Sequence, residues 1–187
     1  TRSAADAGAM LGAMAGADPL DPTSLEASVP DYLAGLEEGI GGVRIGIDPS
    51  YAYDVSDEET RKIVEDARRV LADLGASIVE IEMPASIEPM YRDWATYCAV
   101  ETAIAHAETY PARASEYGPV LAGLIDAGRS LGAMDLMRIE HERLAFKGAL
   151  RKIFEQVDLL LVPVQPFGNL SIAQVAAILG RPGGVHD

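Results

Sequence analysis

Gly128-Arg129-Ser130-Leu131-Gly132 spells G-x-S-x-G, the string that in many hydrolases carries a serine nucleophile. Such a serine needs a strand before it and a helix after it, because the sharp bend between them exposes the hydroxyl. Residues 120–127 instead have helical spacing, so the string is expected to be a glycine-bounded loop between two helices. His141-Glu142 begins the zinc pattern H-E-x-x-H, but position 145 is alanine, and His106 and His186 have no partner at ligand spacing. Gly41-Gly42 precedes a strand, whereas a dinucleotide loop must follow one. The three lysines, Lys62, Lys147 and Lys152, are not set beside any serine-rich glycine loop, so no Ser–Lys nucleophile pair is expected. Cys98 has no basic neighbour in sequence to lower its pKa and reads as a buried thiol. Neither a metal nor a cofactor is called for.

Two charges stand out by position. A helix over 88–109 has the stripe Met90, Trp94, Tyr97, Glu101 and Ile104. Another, capped by Asp135 and running to 156, has the stripe Leu136, Ile139, Arg143, Phe146, Leu150 and Ile153. Glu101 and Arg143 each sit alone in an apolar row, where an unpaired charge costs several kcal/mol. They are expected to form a buried pair, with a place at the edge of a substrate pocket as the sharper alternative. Tyr97, one turn before Glu101, is the neighbour expected to share such a pocket, though its default is core.

The remaining elements have to position these groups. Residues 42–84 read as one strand–helix–strand unit. Val43 to Ile47 is a strand closed by Asp48-Pro49, and Ser56 with Glu59 forms a capping box. A helix follows with Ile63, Val64, Ala67, Val70, Leu71 and Leu74 on one face, ended by Gly75. Val79, Ile81 and Met83 then alternate with Glu80 and Glu82 in a second strand, expected to be parallel to the first with a right-handed crossover. Residues 1–16 read as a small-residue helix packed closely on another element, 17–28 as a rigid loop, and 29–37 as a short helix. Pro111 is expected to end the 88–109 helix. The run 157–163, apolar without alternation, is expected to be a strand buried on both faces. A last helix spans 171–179, before Gly180. The fold class is α/β, part of a mixed sheet flanked by helices.

A chain of 187 residues with 49% hydrophobic content can bury the core of one domain. Its formal charge of −14 repels phosphate backbones and argues against nucleic-acid binding by the chain alone. The single cysteine fits a reducing compartment, and the absence of a membrane-length apolar run or signal peptide points to the cytoplasm. Thr1 is not an initiator methionine, and 183–187 trail off from no recognisable element. The expectation is one domain over 1–187 that is an incomplete fragment of a larger one.

Taken in order, the motifs resemble the later part of the amidase signature family. Arg2-Ser3-Ala4-Ala5-Asp6-Ala7 is similar to its R-[ST]-x-A-D-A helix start, and Gly16 to Ser24 to its G-x-D-x-x-D-P-[ST]-S loop. Gly42 to Gly46 resembles its G-[LV]-R-I-G strand, Leu74-Gly75-Ala76 its L-G-A turn, and Val157 to Pro163 its V-D-x-L-[LV]-x-P strand. Glu101 matches a glutamate on the family's long helix.

The resemblance implies a hydrolase of carboxamide C–N bonds. A serine nucleophile, a bridging serine in a cis peptide and a lysine base would do the chemistry, with backbone amides as the oxyanion hole. In the family these lie upstream of the R-S-x-A-D-A helix, so no catalytic residue is assigned here. This chain would supply sheet, outer helices and one pocket wall, with Tyr97, Glu101, Arg138, Arg143 and Gln165 as substrate-binding candidates. In the tRNA-dependent amidotransferase branch an arginine near this helix holds the substrate carboxylate. Arg138 occupies the matching Arg-Ile pair, although Leu136-Met137 replace charged neighbours. The expected partner is a small amide, together with a homo-oligomeric copy or the missing N-terminal half. The alternative is a non-catalytic binding domain, or a relative of the A subunit of that amidotransferase.

Overall fold

Strand β1 (Arg44–Ile47) pairs on both sides, in parallel, in the computed structural model, which describes residues 1–21, 23–84 and 87–179. Its neighbours are β2 (Ser77–Glu80), with Ile45 opposite Ile78, and β3 (Leu159–Leu160), with Ile45 opposite Leu159. At the start of β1 the Arg44 guanidinium grips Asp158 in a two-pronged contact, 2.7 Å from Nη2 to Oδ1 and 3.2 Å from Nε to Oδ2. The Arg44 backbone N–H also donates to the Asp158 carboxylate, and the Asp158 N–H donates to the Arg44 carbonyl. Gly46 leaves room for Val157 and Leu160, and Val157 is fully buried.

Helix α2 (Glu58–Asp73) connects β1 to β2 as expected from its periodicity, with Val64 in a core cluster alongside Ile47 and Ala52. It ends where Gly75 takes a φ of +96°, the Ala76 N–H reaching back to the Leu71 carbonyl and the Gly75 N–H to that of Ala72. Its start is one residue later than the sequence suggests. Asp57 caps it by accepting the Thr60 N–H at 2.8 Å, while Ser56 donates its hydroxyl to the Ala52 carbonyl, closing a wide helical turn at Ser50–Asp54. Asp caps a helix as well as Ser does, and here Asp57 takes the place expected of Ser56.

The helical layer consists of α3 (Ile87–Ala105), the short α4 (Tyr110–Arg113), α5 (Pro119–Ser130) and α6 (Ala133–Ile153). Helices α3 and α5 cross tightly. Ala99, Ala103 and Ile125 are buried between them, and a Cβ added to Gly128 would overlap the Ala99 carbonyl and the Val100 nitrogen. Pro111 lies within α4 instead of ending α3, since proline is tolerated in a helix's first turn. Helix α6 starts from Gly132, leaving Asp135 in its first turn, where its charge suits the helix dipole without capping it.

Several expectations are corrected. Residues 29–37 form no helix but turns over 32–37, because Gly35 and Gly39 adopt positive φ and the Asp31 carboxylate takes the Leu33 N–H. Helix α1 (Ala4–Met14) touches Tyr32 and Leu33 at Gly8, but Met10, Leu11 and Met14 stay exposed. In α2 Ile63 and Val70 are also exposed, as is Leu74 just after it, so the buried stripe is narrower than the apolar one. The run 157–163 pairs at two residues only. Leu159 is exposed, as expected of a strand with no neighbour on its outer edge among the described residues. Helix α7 (Ile172–Leu179) forms as expected. Pro22, Gly180, the 183–187 tail and His186 lie outside the described residues.

The crossing at Gly128 makes a direct prediction. Gly128→Ala should lower the urea midpoint by the equivalent of about 3 kcal/mol, because backbone, and not a flexible side chain, must move. A change under about 0.5 kcal/mol would show that the helices are not in contact there. A second prediction concerns acid. The Arg44 hydrogen bonds hold the Asp158 carboxyl down at about 2, and Arg68, with help from Tyr53, holds Glu65 at about 2. Both lie below their unfolded values, so their stabilisation is complete above about pH 4.5 and lost as pH falls toward about 2. Asp158→Asn should therefore flatten the stability–pH curve between about pH 4 and 2, measured by urea unfolding at fixed ionic strength.

Candidate functional site

Four of the five substrate-binding candidates lie along one seam between α3 and α6. Arg143 places its guanidinium 5.4 Å from the centre of the Tyr97 ring, within cation–π range. Its carboxylate partner is Glu140, one turn back on α6, at 3.0 Å. Arg138 bonds Glu142 at 2.9 Å and comes within 3.8 Å of Asp93, which is mostly sheltered on α3. Glu101 reaches Arg143 by charge attraction alone, with no hydrogen bond between them. The arginines depress the acids they hold: Arg143 lowers Glu140, and Arg138 lowers Glu142.

The buried Glu101–Arg143 pair is therefore not formed. Both side chains are exposed. The stripe that contains Glu101 faces outward, with Trp94 59% and Ile104 71% exposed, while the neighbouring Ala99/Ala103 row is the one turned to the core. Small residues won that position because they let α5 approach; the larger, more apolar row could not pack as closely. On α6 the predicted stripe holds at its ends, where Ile139 and Ile153 are buried, and Arg143 turns out to water.

Gln165 belongs to a different place. It is exposed on the segment after β3, beyond the carboxyl end of the sheet, where ligands of open α/β sheets commonly bind. The segment is tied to α2: the Asp57 N–H donates to the Pro166 carbonyl at 2.7 Å, and the Gly168 N–H donates to Asp57 Oδ2 at 3.0 Å.

At the same edge of the sheet Asp48 is buried. It accepts the Ser50 N–H and hydroxyl on Oδ1 and the Met83 N–H on Oδ2, at 2.8, 2.6 and 2.6 Å. Burial alone would raise its pKa, but these donors outweigh it and hold the carboxyl low. Sequence reasoning treated Asp48 only as a turn residue. Its position directly after a buried strand was the available signal.

A shallow pocket of about 470 Å³ lies between the end of α3 and the start of α5. Tyr117 is its hub, with its hydroxyl 3.0 Å from His106 Nδ1 and 2.7 Å from the Thr109 hydroxyl. The pocket's one guanidinium, Arg113, is already engaged by Glu116. Ser130 ends α5 and donates its hydroxyl to the Ala127 carbonyl, so the helix that sequence places before it excludes a nucleophile elbow. The lysines stand exposed on α2 and α6, and none hydrogen-bonds a serine among the described residues. No group of three or more His, Cys, Asp or Glu side chains among the described residues could hold a metal ion.

Known proteins resemble this chain in sequence and fold. The amidase family model covers residues 1–183. The chain belongs to the amidase signature family. It is 42% identical over 164 residues to the protein of Mycobacterium tuberculosis provisionally named amidase AmiD, covering 87% of this chain and 34% of that protein. The A subunit of the glutamyl-tRNA(Gln) amidotransferase of Geobacter sp. is 30% identical over 201 residues, 93% of this chain and 41% of that one. Among solved structures, a bacterial aryl acylamidase of the family superposes with a TM-score of 0.73 at 23% identity, over 89% of this chain and 37% of its own. That likeness supports the fold. The chain thus spans between about a third and two fifths of the length of the relatives it matches. No helix among the described residues is long and apolar enough to cross a membrane.

The seam predicts a specific pattern of coupling. In a double-mutant cycle Arg143→Ala with Glu140→Ala should show the weak coupling of an exposed helical pair. Arg143→Ala with Glu101→Ala should be additive within error. Coupling between Glu101 and Arg143 clearly larger than that of the Glu140 pair would restore the buried pair.

Proposed function

We propose that this chain is part of a larger amidase domain, one that hydrolyses a carboxamide through a serine nucleophile lying outside this chain. The observation that carries this reading is the family match over nearly the whole chain, together with 42% identity to AmiD. In this reading β1–β3 and α2 supply sheet and scaffold, and the α3–α6 seam is one wall of the substrate pocket. Tyr97 and Arg143, already stacked, would offer an aromatic face and a positive edge to a substrate. Glu101 and Arg138 flank them, and Gln165 approaches from the sheet edge. Acyl transfer itself falls to the serine and lysine of the rest of the domain, with this chain setting where the carbonyl stands.

A second reading, a component of an amidotransferase that works with a tRNA-binding partner, draws on the 30% identity to the Geobacter protein. The two separate on one assay. The full-length protein, alone, should release ammonia from a simple carboxamide; activity that appears only in complex with a partner and tRNA would favour the amidotransferase.

The isolated chain should release no ammonia and take no label from a fluorophosphonate probe, and labelling at Ser130 would overturn the assignment. In the full-length enzyme Arg143→Ala should raise KM by about tenfold with kcat little changed, as for loss of a ground-state contact. An unchanged KM would remove the seam from the pocket.

A further inference from the structure

We propose that Asp57 is a positioning residue: besides capping α2, it latches the 164–168 segment and so sets where Gln165 stands. This rests on the reading above that Gln165 lines the substrate pocket. Beyond the ordinary helical bond from the Arg61 N–H to its carbonyl, three hydrogen bonds meet on this one residue. Its Oδ1 accepts the Thr60 N–H at 2.8 Å, its Oδ2 accepts the Gly168 N–H at 3.0 Å, and its own N–H donates to the Pro166 carbonyl at 2.7 Å. The helix start and the segment after β3 are therefore held by the two oxygens of a single carboxylate.

The geometry around the latch is close. A Cβ on Gly168 would come 3.0 Å from Glu59 Oε2, so the segment passes directly over the first turn of α2. On its other side it is anchored where the Leu161 N–H bonds the Gly46 carbonyl. Between the anchors Val164 is fully exposed, with no packing of its own to hold it. Gln165 precedes a proline, which confines its backbone to extended conformations. Once Pro166 and Gly168 are fixed, little freedom remains to Gln165. The capping role alone explains the Thr60 bond and leaves the other two unexplained.

Asp57→Asn separates the two roles. Asparagine keeps a carbonyl oxygen for Thr60, but it turns an amide donor toward the Gly168 N–H, which then has nothing to bond. Asp57→Ser does the same by offering one oxygen where there were two. The experiment combines amide exchange with steady-state kinetics on the full-length protein that contains this chain. Exchange at Gly168 should accelerate about five- to tenfold, the effect of one hydrogen bond, while Thr60 keeps its protection. KM should rise several-fold at nearly constant kcat, and Asp57→Asn should add nothing to Gln165→Ala. Unchanged exchange at Gly168 in both variants overturns the latch. Faster exchange with an unchanged KM overturns the positioning role. In that case Gln165→Ala decides the rest: if it raises KM by itself, the pocket reading survives and only the latch's influence falls, and if it does not, Gln165 leaves the pocket.

Discussion

A carboxylate that is buried must find donors, and the arrangement of this chain depends on where Asp48 finds them. Its two oxygens collect the Ser50 backbone and hydroxyl on one side and the Met83 N–H on the other. The first bends the chain out of β1 into the wide turn that leads to α2; the second draws in the end of the segment that returns through β2. One side chain thus fixes the exit of one strand against the exit of its parallel neighbour. Parallel strands have no hairpin to set their register, so side-chain ties of this kind must do it. Arg44 and Asp158 perform the matching task at the entry of β1, against β3. The second tie is half-exposed and so contributes less than its geometry suggests.

The elements with strong periodicity were legible. Helices α2, α3, α5 and α6, the parallel pairing of β1 and β2, and the left-handed Gly75 all follow from spacing and turn chemistry. What was not legible is which of two candidate faces a helix buries. On α3 an apolar aromatic row and an alanine row compete, and hydrophobicity favours the first. Closeness of approach decided for the second, because α5 presents a glycine there, and sequence distance hides that pairing. The charge at Glu101 was itself the sign of an outward row, and reading it as a buried charge in need of a partner reversed its meaning. The lone-charge argument holds only once burial is known.

The same error of face affects the candidate site less than the core. Tyr97, Glu101, Arg138 and Arg143 do gather along one seam, since both helices carry them at compatible heights, but they gather at a surface where each arginine is already held by an acid of its own helix. Gln165 enters as a candidate from family resemblance alone; nothing in local sequence links it to Asp57, more than a hundred residues earlier. Short-range patterns report helices and turns well, and they are silent about ties between distant loops.

The tight crossing at Gly128 has a consequence for how sequences like this are searched. Two glycines spaced around a serine arise here because one of them must let a neighbouring helix backbone pass, while the other starts the next helix. A pattern scan for hydrolase nucleophiles would select this string for a reason rooted in interhelical clearance. In a family of hydrolases such a string is easily mistaken for a catalytic one. Sorting true from false matches therefore requires knowing what stands opposite the first glycine: open space above a strand, or the carbonyl of another helix.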